Sequence, residues 1–99
     1  MSGQLRMTEK EFGFVHKFIF RSDVDLGWVV TKNLIIKKDG SDVLNISTNM
    51  VIVLPNVIEW SVQTGQTEFN GPHEGILLLT GSGRREEVFF DVFSEASKV

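Results

Sequence analysis

The sequence predicts an all-β domain, a small antiparallel sandwich or barrel of about seven or eight short strands. Three observations predict it. Apolar residues recur at alternate positions, as in Ile58, Trp60 and Val62 set against Glu59, Ser61 and Gln63, and a period of two suits a half-buried strand rather than a helix. Glycine and proline cut the chain into short apolar runs. Turn-forming clusters at Lys38-Asp39-Gly40-Ser41 and from Gly81 to Glu86 each stand between two such runs.

The 99 residues suffice for one core and leave no room for a second. Residues 1–10 are polar and mixed in charge, and residues 94–99 are short. Both are expected as flexible termini of a single domain.

From Phe12, the residues Phe12, Phe14, His16, Phe18 and Phe20 share one row, with Val15 and Ile19 facing the other way. That row predicts a strand. A helix starting from Thr8 and Glu11 competes through capping-box spacing, but Gly13 and the phenylalanines weigh against it. Trp28 to Asn33, continued by Leu34, Ile35 and Ile36, is the next β-rich run. Asp39-Gly40 supplies the positive φ angles of a tight hairpin, and Asp42 to Ser47 returns from it.

Met50 to Leu54 (MVIVL) is apolar at every position, as in a strand covered on both sides. Val57 to Val62 alternates. Thr67-Glu68-Phe69 has the composition for a short strand, and Asn70 to Gly75 that of a loop. Ile76 to Thr80 and Glu87 to Phe93 flank Gly81 to Glu86 as a second hairpin. In its last strand Val88, Phe90 and Val92 share one face, and Phe89, Asp91 and Phe93 the other. A sandwich is expected over a barrel because both MVIVL and VFFDVF look covered on two sides. No residue signature selects a known family.

Ten basic and thirteen acidic residues leave a formal charge of −3. Such a chain lacks the positive field that draws proteins to nucleic acid or anionic lipid, so nucleic-acid binding is not expected. The absence of cysteine excludes disulfides, thiolate catalysis and cysteine–zinc sites. No run approaches the length of a membrane span, and the first residues do not read as a secretory signal. A cytoplasmic location is the expectation.

No residues form a convincing catalytic group. His16 and His73 are far apart, without metal-ligand spacing, and neither a metal nor a cofactor is expected. Asp23/Asp25, Asp39/Asp42 and Glu86/Glu87 are adjacent carboxylates that nothing nearby would drive to different pKa values. Gly81, Ser82, Gly83, Arg84 and Arg85 are the candidate ligand-binding residues: small residues admit an anion to the backbone, and two guanidinium groups could clamp it. Trp28 and Trp60 are expected in the core. Asn45-Ile46-Ser47 matches a glycosylation sequon. Ser97-Lys98-Val99 has the spacing that β-augmenting peptide receptors capture.

Without catalytic residues, and with strand edges that must be covered, the chain reads as a non-enzymatic protein-binding or self-assembly domain whose partner is another protein or a second copy. Binding of an anion or phosphorylated ligand at Gly81–Arg85 is the alternative.

Overall fold

A computed structural model describes residues 4–10 and 13–96; the expectations for Phe12 and for Ser97-Lys98-Val99 lie outside them. Eight strands run in chain order: β1 Gln4–Thr8, β2 Val15–Ile19, β3 Thr31–Lys38, β4 Ser41–Ile46, β5 Met50–Val53, β6 Val57–Ser61, β7 Gly71–Gly81 and β8 Arg84–Glu95. They form two sheets, ordered β1-β8-β7-β3-β4 and β2-β6-β5. The described residues include no helix long and apolar enough to cross a membrane.

The architecture is a β-sandwich of these two sheets, and alternation within each strand supplies the layer between them. Leu34 and Ile36 of β3, Leu77 and Leu79 of β7, Val92 of β8 and Leu5 and Met7 of β1 turn inward from the large sheet. Met50, Ile58 and Trp60 meet them from the small one, and Leu26, Val62 and Phe69, outside the strands, belong to the same buried cluster. Successive side chains point to opposite faces of a strand, so every second residue is committed to this layer.

Both expected hairpins form. Lys38 pairs with Ser41 across Asp39 and Gly40 at φ 52° and 82°, two left-handed residues whose twist matches the flanking strands. A bulge follows, since pairing passes from Ile36–Leu44 to Lys37–Asp42. Gly81 pairs with Arg84 across Ser82 and Gly83 at φ 49° and 72°. The second turn is therefore two residues long, not the Gly81–Glu86 loop expected.

Several expectations need correction. The sheets are not wholly antiparallel, because β1 runs parallel to β8, with Leu5 beside Val92 and Met7 beside Ser94. Side-chain alternation reveals which face is buried, not the direction of the neighbouring strand. Within the ends expected as flexible, Gln4–Thr8 form β1, and β8 extends through Ser94 and Glu95. With only Leu5 and Met7 inward, the polar residues of β1 read as a solvated tail.

Third, Gly71–Gly75 is the start of β7 rather than a loop. Before Glu74 this strand has β8 as its one pairing partner among the described residues, so Pro72 removes no hydrogen bond from β3. Gly75 is required by packing, since a Cβ there would enter the Phe90 ring. Thr67-Glu68-Phe69 is not a strand, although Thr67 and Phe69 are buried.

Fourth, neither MVIVL nor VFFDVF is covered on two sides. Val51, Val53 and Leu54 are exposed, as is Phe89. The sandwich has only two layers, and each sheet keeps one face toward solvent.

Candidate functional site: the outer face and open edge of the small sheet

In β2, His16 and Phe18 turn toward the core, with Phe18 packed on Phe90 at 5.4 Å between ring centroids. Val15, Lys17 and Ile19 therefore face outward. In β6, Ile58 and Trp60 are buried, which turns Val57, Glu59 and Ser61 out. In β5, Met50 turns in and Val51 and Val53 turn out.

The registers assemble these outward residues into rows. Ile19, Val57 and Val53 make an apolar row, Lys17, Glu59 and Val51 a second, and Val15 and Ser61 a third. Lys17 Nζ lies 3.6 Å from Glu59 Oε2, so the charges at the centre neutralise each other. Exposures are 51% for Val15, 60% for Ile19 and Val51, 44% for Val53 and 63% for neighbouring Leu54. Isolated exposed aliphatic residues are ordinary, whereas several on one face form a patch suited to a partner.

Alternation around the Phe row correctly turned Val15 and Ile19 away from it. The exposure of Val51, Val53 and Leu54 was missed, because an unbroken apolar run looks the same whether its outer face is covered or bare.

The sequence-predicted anion site is arranged differently from a clamp. Arg84 and Arg85 are consecutive residues of β8, so their side chains leave opposite faces of the sheet. Each guanidinium is held by the glutamate two residues on: Arg84 Nη2 donates to Glu86 Oε1 at 2.6 Å, and Arg85 Nη2 to Glu87 Oε1 at 3.0 Å. Arg84 also lies 4.1 Å over the Trp28 ring. Ser82 and Gly83 form the turn, and Gly81 carries the backbone of residues 28–30 close against it.

The arginines thus serve the hairpin, and exposed pairs of this kind contribute little. Arg84→Ala should lower stability by about 1 kcal/mol, and Arg85→Ala by a few tenths, as measured by urea denaturation. A loss of several kcal/mol in Arg85→Ala would show a buried role that this geometry does not contain.

The other candidate groups are similarly engaged. His16 stacks at 5.6 Å on the Trp60 ring, whereas His73 is buried in the other sheet against Phe69 with Nδ1 3.0 Å from Gly71 O. Asp23 pairs with Arg21, and Asp25 accepts the Gly27 amide at 2.8 Å. Among the described residues, no three His, Asp or Glu side chains gather as metal ligands do.

A groove of about 460 Å³ is lined by Phe20, Val24, Leu26, Val88 and Phe89 together with the charged Arg21, Glu86 and Glu87. Those three charges are already paired with Asp23, Arg84 and Arg85.

No family model and no curated protein matches the chain. Among solved structures, it is similar to the fibronectin(III)-like modules of Clostridium thermocellum CbhA at 10% identity and a TM-score of 0.45, over 97% of this chain and 93% of that one.

Proposed function

We propose that this chain is a non-enzymatic protein-binding or self-assembly domain acting through the solvent-facing side of β2, β6 and β5. The observation that supports this reading is the patch of Val15, Ile19, Val51, Val53 and Leu54, at least 44% exposed in every member and disposed around a neutralised Lys17–Glu59 pair. Water gains by losing such a surface, and a protein partner with an apolar centre and a polar rim matches it.

The test compares Val15→Lys/Ile19→Lys with Val43→Lys, which alters an exposed valine on β4 of the other sheet. All three positions are exposed, so the fold should survive. Cross-linking of the purified chain and in lysate of its native cells should show the contacts of the wild type. The double variant should weaken these at least about tenfold, as expected for central interface residues, and Val43→Lys should retain them. Identical cross-linking in all three proteins would sink the reading.

A further inference from the structure

The four outermost strands among the described residues are β1, β4, β2 and β5. Three carry a charge within the strand: Arg6 in β1, Asp42 in β4 and Lys17 in β2. Charged residues on an edge are a common defence against pairing with another chain. β5, with the sequence Met-Val-Ile-Val, has none.

The backbone of β5 is also aimed outward at known positions. Ser61 N–H donates to Asn49 O at 2.8 Å, which makes this opposed pair a hydrogen-bonded one. The register continues Met50–Trp60, Val51–Glu59, Ile52–Ile58 and Val53–Val57. Hydrogen-bonded and non-hydrogen-bonded pairs alternate in an antiparallel ladder. Val51 and Val53 therefore direct their N–H and C=O groups to β6, while those of Met50 and Ile52 point to the open side.

We infer that β5 pairs antiparallel with β5 of a second copy of this chain, about a two-fold axis, joining two three-stranded sheets into one of six. The inference rests on the preceding reading that the small sheet is a binding surface, and it names the partner. Charge selects a second copy. In a two-fold pairing a strand meets itself, so the other edges would bring Arg6 near its own like charge, or set Asp42 and Lys17, with the ion pairs they hold to Lys37 and Glu59, against their copies. β5 meets its copy without that repulsion.

With Ile52 at the axis, its N–H and C=O groups are exchanged with those of Ile52 in the second copy. Val51 then stands opposite Val53 of the second copy, and four valines become contiguous on the outer face. The contact is short, which places the dimer among weak interfaces, with Kd on the order of 100 µM.

The experiment is sedimentation equilibrium of the full chain from about 10 µM to about 1 mM, with amide exchange followed by NMR. Two edge variants are used, Val51→Lys/Val53→Lys and Val51→Glu/Val53→Glu. Each alone should be monomeric, because like charges then oppose across the axis. Their equimolar mixture should dimerise, which also shows that both variants remain folded. In the wild type, the Met50 and Ile52 amides should gain protection as concentration rises.

A wild type that stays monomeric throughout would overturn the inference and leave the edge to a strand of a different protein. A dimer retained in both β5 variants but lost in Val15→Lys/Ile19→Lys would also overturn it, while upholding the outer face as the binding surface.

Discussion

Gly81→Ala should lower the thermal midpoint by about 15 °C, equivalent to a loss of about 3 kcal/mol for a domain of this size. The cause is a close approach of backbones. Val30 N–H donates to Thr80 O at 2.8 Å, laying the segment before β3 across the end of β7. A Cβ at Gly81 would stand 2.7 Å from Val30 N and nearer still to the Trp28 carbonyl oxygen. Neither atom belongs to a side chain that could swing away, so the hairpin and the segment must separate.

Gly75→Ala makes an informative contrast. There the obstacle is the outer edge of the Phe90 ring, which is partly buried and able to rotate. Its loss should be smaller, and Phe90→Leu should suppress part of it in a double-mutant cycle. Thermal unfolding followed by far-ultraviolet circular dichroism checks both. A Gly81→Ala midpoint within a few degrees of the wild type would show that residues 28–30 do not lie where the structure has them.

Trp60→Ala should remove about 4 kcal/mol, a large share of the stability of any small domain. Trp60 is on β6, the central strand of the small sheet, and is wholly buried between the layers. It stands opposite His16 on one side and Met50 on the other. Its indole N–H donates to Gln66 Oε1 at 3.1 Å, and the same oxygen accepts the Gln63 amide at 3.0 Å. Truncation therefore opens a cavity and loosens the turn after β6. Trp60→Phe keeps most of the volume and loses the hydrogen bond, so its effect should be about 1–2 kcal/mol. Urea denaturation provides the measurement, with circular dichroism as the probe because only Trp28 still fluoresces in these variants. Equal losses in the two would mean that the hydrogen bond, rather than the buried volume, holds β6 in place.

These two expectations differ in how far the sequence alone leads to them. The alternation of Ile58, Trp60 and Val62 with Glu59, Ser61 and Gln63 already assigns Trp60 to an interior face. Nothing local marks Gly81 as a point where two backbones meet. It reads as one more glycine at a hairpin tip, and the crossing segment, residues 28–30, is far from it in the chain.

The same division runs through the rest of the protein. Local chemistry decides what neighbouring residues settle between themselves. Asp39-Gly40 adopts a left-handed turn because few residues besides Gly, Asn and Asp do so at low cost. The inward and outward sets of β2, β6 and β8 follow from a side-chain period that belongs to the strand itself. The all-β class follows from these, whereas the sandwich is expected from a two-sided covering of MVIVL and VFFDVF that the structure does not show.

The neighbours of each strand were decided only in the tertiary structure. A strand's side chains do not state whether its partner runs parallel, and β1 joined β8 that way. Composition reads Asn70–Gly75 as a loop because it cannot show that β8 extends far enough to pair with Gly71–Gly75. Arg84 and Arg85 were adjacent as letters and became opposed as side chains, once a two-residue turn placed both inside β8. MVIVL looked buried on two faces, yet it lies at the rim of a three-stranded sheet with valines bare and two backbone positions aimed at solvent. The candidate binding surface arises there, where burial depends on which chain comes next to a strand and not on the residues within it.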